Sequence, residues 1–161
     1  MANVKAIPDG YPNVTPYLIV SGGAAAIDFY KRIFGAIEIM RLPGPGGRVG
    51  HAELRIGNSM IMLADENPQA GVRGPQPGSR PPVSFLVYVE QVDAVTAKAE
   101  AAGAKILRPP KDQFYGDRTA TLTDPFGHEW TVATHVEDVS PEEMSKRAAA
   151  LAATATAGGQ T

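Results

Sequence analysis

A hairpin written twice constrains this chain more than any other feature. The later copy lies in Lys111 to His135, KDQFYGDRTATLTDPFGHEWTVATH. In RTATLT, Ala120 and Leu122 fall on one face of a strand, and Thr119, Thr121 and Thr123 on the other. DPFG supplies a turn, since Pro pre-sets one backbone angle and Asp and Gly accept the others. EWTVAT returns as a strand of β-formers. The earlier copy is RVGHAELRIGNSMIMLADE, residues 48–66, with a Gly-Asn turn. A helix precedes each copy. Gly35-Ala36 closes the first helix and Gly103-Ala104 the second, 68 residues on, and the turn glycines Gly57 and Gly127 stand 70 apart. A near-constant offset over a whole unit marks a duplicated structural module.

The rest of the chain fits around that repeat. Residues 1–13 read as an irregular lead-in. The first module, 14–67, opens with a strand over Val14–Val20. Its helix, AAAIDFYKRIFG, lines up Ile27, Tyr30, Ile33 and Phe34 on one stripe and stops at Gly35. The strand AIEIMRL, the tight connection PGPGG and the hairpin complete it. Residues 68–82 form a Pro/Gly-rich surface linker. The second module, 83–136, runs strand VSFLVYV, helix VDAVTAKAEAAGA, strand KILRPP stopped by Pro109 and Pro110, then hairpin. In 137–161, Ser140 and Glu143 make a capping box with Pro141 at the first helical position, predicting a helix over 141–153 and a frayed tail. The fold class is α+β: two tandem β-α-β-β-β modules.

Composition removes several functions. A net charge of −2 offers no field for nucleic acid or an anionic membrane. The absence of cysteine excludes disulfides, thiolate catalysis and cysteine metal sites. MANVKAIPDG has no apolar signal core and no 18-residue apolar run occurs, so a cytoplasmic protein is expected.

The modules, with PYLIV, IDFYKRIFGA, GHAELRIG, IMLADE, DQFYGDR, DPFGHEWTVATH and EDVSPEEM, resemble the vicinal oxygen chelate superfamily over residues 13–136. Glyoxalase I, bleomycin-resistance proteins, fosfomycin-resistance enzymes and extradiol dioxygenases belong to it, and the match is most similar to its PhnB-like branch. The resemblance implies curled mixed sheets around a cavity, where the metal enzymes bind one divalent cation. It also implies a homodimer, sometimes formed by exchange of modules. The family pattern places metal ligands at Thr15, Met62, Ser84 and Thr131, and both Thr15–Ser84 and Met62–Thr131 span 69 residues. Metal enzymes of the family use His, Gln or Glu there. Hydroxyls and a thioether are poor ligands for a hard or borderline divalent ion. No cofactor is expected on this basis, with a divalent metal at a displaced site left open.

Other polar residues then carry the interest. His51 and Glu53, two apart on one strand, form either an acid–base pair, two ligands of a displaced metal site, or a hydrogen-bonded row that fixes the sheet. His128, after the turn glycine, reads as a solvated turn residue. His135 shares a face with Thr131 and is a pocket-rim or a structural residue. Gln113, Tyr115 and Arg118 line the mouth of the second-module cavity, or else Asp117–Arg118 is a turn ion pair and Tyr115 covers the core edge. Trp130 reads as core. Tyr17, Met60, Met62, Leu86 and Tyr88 share the parity of the family's ligand positions and give a largely apolar cavity. Two functions follow. One is a metal-free protein that binds a small organic molecule in the inter-module cavity through Tyr17, Met62, Tyr88, Gln113, Tyr115, Arg118, Thr131 and His135. The other is a metal-dependent lyase, transferase or dioxygenase using His51, Glu53 and a third ligand. A small-molecule ligand and a second copy are the expected partners, with no nucleic acid and no membrane.

Overall fold

A computed structural model describes residues 4–157 of the chain. The first module comprises β1 (Tyr17–Val20), α1 (Gly23–Phe34), β2 (Ile37–Pro43), β3 (Val49–Ile56) and β4 (Ser59–Asp65). The second comprises β5 (Ser84–Tyr88), α2 (Val92–Ala101), β6 (Lys105–Asp112), β7 (Asp117–Thr123) and β8 (Glu129–His135), and α3 (Pro141–Ala157) follows. Each module forms an open four-stranded sheet, β1-β4-β3-β2 and β5-β8-β7-β6. The β1–β4 and β5–β8 pairs are parallel and the others antiparallel, so both sheets are mixed.

Alternation sorts each sheet into two faces. Leu18, Val20, Ala52, Leu54, Ile61 and Leu63 are buried beneath α1, which contributes Ile27, Tyr30, Ile33 and Phe34 as its spacing predicts. Gly35 ends the helix in the left-handed conformation, at φ 65°. At its start no side chain of the usual capping position serves. Asp65, at the end of β4, accepts the backbone N–H groups of Gly22 and Gly23 on Oδ1 and that of Val49 on Oδ2. A side chain on Gly23 would not fit, since a Cβ there would lie 2.8 Å from that of Val49.

One hydrophobic core runs through both modules. Helix α1 reaches beyond its own sheet: the Phe34 and Tyr30 rings lie 4.7 and 5.5 Å from that of Trp130 on β8. The Tyr30 hydroxyl and Trp130 Nε1–H both donate to Asp124 Oδ2, at 2.7 and 2.9 Å. Asp124 Oδ1 accepts the N–H groups of Phe126 and His128, and so also builds the DPFG turn.

Several boundaries differ from the sequence expectation. Strand β1 begins at Tyr17 rather than Val14, because Pro16 has no N–H for the ladder; its carbonyl still accepts from Met62. Strand β6 is not stopped by Pro109 and Pro110 but runs to Asp112. It is an edge strand whose pairing jumps register between Ile106 and Arg108 and between Arg108 and Lys111, so no ladder bond requires the missing donors. Helix α3 extends to Ala157 rather than Ala153. Its capping box is half made: Ser140 Oγ accepts from the Glu143 N–H, while the Glu143 carboxylate turns to Arg147. Residues 1–3 of the lead-in and the tail from 158 lie outside the described residues.

The linker is more than a spacer. After a short 3-10 turn at Pro68–Ala70 it crosses the seam between the modules. The Gly74 N–H donates to Glu66 Oε1, and Pro75 packs so closely on Gly127 that a Cβ there would meet it at 2.8 Å. Arg80 then forks onto the buried Glu129 at 2.6 and 2.9 Å.

Candidate functional site

The sheet faces turned away from the helices carry most of the site residues expected from sequence. In the first sheet, Tyr17 pairs with Met62, Met62 with Glu53, and His51 lies two residues along β3. The Tyr17 hydroxyl stands 2.7 Å from His51 Nδ1, and His51 Nε2 stands 3.3 Å from Glu53 Oε1. Tyr11, from the irregular lead-in, donates its hydroxyl to Glu53 Oε2. One proton arrangement satisfies the whole chain: Tyr17 O–H donates to Nδ1, and Nε2–H donates to the carboxylate. Burial raises the Tyr17 pKa, and the hydrogen bond to Glu53, with burial, raises that of Tyr11. Both phenols are therefore held as proton donors. His51 and Glu53 thus form a bonded row, with a tyrosine at each end.

The second sheet carries a different polar group. Tyr88 O–H donates to Asp117 Oδ2 and His135 Nδ1 contacts Asp117 Oδ1, both at 2.7 Å, while His135 Nε2 contacts Asp138 at 2.9 Å. Both ring nitrogens face carboxylates, an arrangement that only the imidazolium satisfies. The pKa of His135 is accordingly raised, by Asp138 first and then Asp117. Thr131 sits between Leu86 and Thr121 in register, on the same face. Gln113 Nε2 donates to Thr119 at 3.0 Å and so borders that face, and Tyr115 stands at its rim against Phe114.

Arg118 is placed elsewhere. It alternates with Asp117, so its side chain projects to the helix side, where Nε and Nη2 pair with Asp93 of α2 and Nη1 with Asp112. The geometry does not bring it together with Tyr115. His128 is not a solvated turn residue: its Nε2 bonds the carbonyl of Ile19 at 3.0 Å and docks the second hairpin on β1.

Two chambers open at the seam under the linker. One, of about 810 Å3, is lined by Arg80, Leu107, Arg108, Thr121, Asp124 and Glu129, among others. The other, of about 550 Å3, is lined by Tyr17, Ile19, Arg73, Val83, Phe85 and His128 together with several prolines. Linker residues Pro75, Gln76, Ser79, Arg80 and Pro81 wall both. Both volumes fall in the range of small-molecule sites, roughly 300–1,000 Å3. Sequence reasoning missed the linker's part in them and the reach of Tyr11. The signal available was compositional: two arginines and six prolines or glycines from Arg73 to Pro82, more rigid and more basic than a free spacer requires.

The residues at the superfamily's metal positions do not suit a divalent ion. Met62 offers a thioether, and Thr15, Ser84 and Thr131 offer neutral hydroxyls. Nor do three His, Asp or Glu side chains gather around a point elsewhere among the described residues. Beside His51 and Glu53 the next polar neighbours are the phenols of Tyr11 and Tyr17.

Residues 13–132 match the model of the Glyoxalase/Bleomycin resistance protein/Dioxygenase superfamily. The chain belongs to that superfamily, as its two β-α-β-β-β sheets require. Among individual proteins it is similar to Rv0887c of Mycobacterium tuberculosis, with 40% identity over 136 residues, 83% of this chain and 80% of the relative. Among solved structures it is similar to TioX from Micromonospora sp. ML1, at 27% identity and a TM-score of 0.60, covering 78% of this chain and 99% of TioX. The PhnB protein from Bacillus cereus shares the fold at 21% identity and a TM-score of 0.60, covering 76% and 99%. No helix of the described residues is long and apolar enough to cross a membrane.

Proposed function

We propose that the chain binds a small organic molecule, without a metal, in the inter-module cavity. The observation that carries this reading is the pairing of two ligand-sized chambers at the seam with a donor set at Thr15, Met62, Ser84 and Thr131 that cannot replace the water around a divalent ion. Apolar walls with a few directional polar groups are what an organic ligand needs. The test is thermal stability of chelator-treated protein against a panel of small organic compounds. At least one compound should raise the melting temperature with the chelator present, since a ligand that binds only the folded state stabilises it. If every stabilising compound requires an added divalent ion, or if plasma emission shows one zinc, nickel or iron per chain after dialysis, the reading fails.

A homodimer belongs to the same proposal. Tyr17, Leu86 and Tyr88 on the two open faces are 49%, 56% and 60% exposed, and Leu42 on β2 is 50% exposed. A second copy would cover this apolar area. Light scattering should give about 34 kDa, twice the 17.0 kDa chain; a monomer at micromolar concentration counts against it.

One observation favours a second reading, an enzyme working through His51 and Glu53. Hydroxyl, imidazole and buried carboxylate follow one another in the order that moves a proton, and Tyr17 at their head also lines the smaller chamber. Turnover of a bound compound that is lost in His51→Gln, with binding retained, would establish it.

A further inference from the structure

We propose that the smaller chamber takes a flat organic anion, an aromatic carboxylate or sulfonate, whose charge is held by Arg73 and Arg80. The proposal rests on the inter-module cavity being a ligand site and names the class of ligand.

The two chambers differ in charge. The larger is lined by Glu66, Asp124 and Glu129 as well as Arg80 and Arg108. The smaller has Arg73, Arg80 and His128 in its walls and, among the described residues, no aspartate or glutamate. No carboxylate among the described residues pairs with Arg73. Arg80 uses Nε and Nη2 on Glu129 and keeps its other guanidinium hydrogens, held in place by that fork. His128 is committed to the Ile19 carbonyl through Nε2, so it closes the floor of the chamber. A guanidinium beside an apolar wall favours a carboxylate or sulfonate over a neutral group, by charge-assisted paired hydrogen bonds.

The walls settle the rest of the ligand. Tyr17 and Phe85 present rings, and Ile19, Val83, Pro16, Pro75, Pro81 and Pro82 present aliphatic surface. A small hydrated inorganic anion would leave that surface unused and would lose water without recompense. An aromatic plane buries against it. The prolines fix the backbone that forms the slot, so little freedom is lost when a rigid ligand enters. A cation would meet like charge from Arg73 and Arg80.

The test uses the full chain and two dyes of nearly the same shape: anionic 1-anilinonaphthalene-8-sulfonate and neutral N-phenyl-1-naphthylamine. Fluorescence titration of the anion should saturate. Arg73→Gln, at an exposed side chain, should weaken the anion about tenfold, the value of one charge-assisted hydrogen bond, and leave the neutral dye unchanged. Val83→Trp, at another exposed position, should fill the slot and weaken both dyes by at least as much. If Arg73→Gln leaves the anion's affinity unchanged while Val83→Trp still displaces it, the charge assignment is overturned and the cavity reading stands. If Val83→Trp displaces neither dye, both are overturned. If His51→Ala weakens the anion as much as Arg73→Gln does, the anion sits on the open sheet face and the chamber assignment is overturned.

Discussion

The two modules share a strand order and differ in what their helices contribute. Helix α1 buries Ile27, Phe29, Tyr30, Ile33 and Phe34, whereas α2 buries only Val92, Thr96 and Ala99. Small side chains on α2 leave the second sheet under-filled, and the rings of Tyr30 and Phe34 from the first module close on Trp130 there. The capping devices diverged in the same way. Asp65 and Thr134 occupy duplicated positions, 69 residues apart, and each ties the last strand of its module to the start of the helix. Asp65 gathers three backbone N–H groups with a charge, while Thr134 accepts from the Val92 N–H and donates to the Val89 carbonyl. The open faces parted too: a hydroxyl–imidazole–carboxylate row on one sheet, an imidazolium between carboxylates on the other. Duplication here kept the scaffold and divided the work, so neither module holds its own complete core.

Because the modules share that core, Asp124→Ala should be the most damaging change. It strands the Tyr30 hydroxyl, the Trp130 indole and two turn N–H groups in a buried place, and should cost about 3–5 kcal/mol in chemical denaturation. The lone tryptophan, Trp130, reports the transition by fluorescence; a loss under about 1 kcal/mol would mean that the modules stand independently. The caps come next. Asp65→Ala should cost about 2 kcal/mol and Thr134→Val about 1 kcal/mol, and equal losses would erase the distinction between charged and neutral caps. Thr96→Val should work in the opposite direction. Among the described residues the buried Thr96 hydroxyl has no hydrogen-bond partner, and a methyl in its place should stabilise the protein by about 1 kcal/mol, measured by the same denaturation.

The smallest effects are in pH dependence. Glu129 is held below its ordinary value of 4.5 by the Arg80 guanidinium, so its contribution is present above that value and is lost as the pH falls through the lowered one. His135 is raised above 6.5, so its contribution is full below 6.5 and is lost as the pH rises through the raised value. Melting curves should show Arg80→Gln flattening the acid side only and His135→Gln the neutral side only. The reverse pattern would contradict the pairings.

Periodicity revealed a good deal of this. The stripe Ile27, Tyr30, Ile33 and Phe34, the alternation in β3 and β7 and the turns at Gly57 and Gly127 are local, and each lies in the structure where its spacing placed it. The juxtaposition of His51 with Glu53 was also legible, being two residues along one strand. What stayed hidden depends on docking. His128 reaches Ile19 across 109 residues, Tyr11 reaches Glu53 across 42 and Arg80 reaches Glu129 across 49. No local pattern encodes such pairs. Arg118 read in sequence either as a pocket-mouth residue or as a turn ion pair with Asp117, and its parity on β7 sends it to Asp93 and Asp112.

The proline pair in β6 bears on how copies of the chain meet at high concentration. An outer strand with regular free amides is a template for cross-β growth, in which one sheet zips onto the next. Here Pro109 and Pro110 lack two successive donors, one of which falls on the outer side because neighbouring amides point opposite ways, and the register jumps on either side of Arg108 break the spacing of the rest. An incoming strand finds no even ladder to follow.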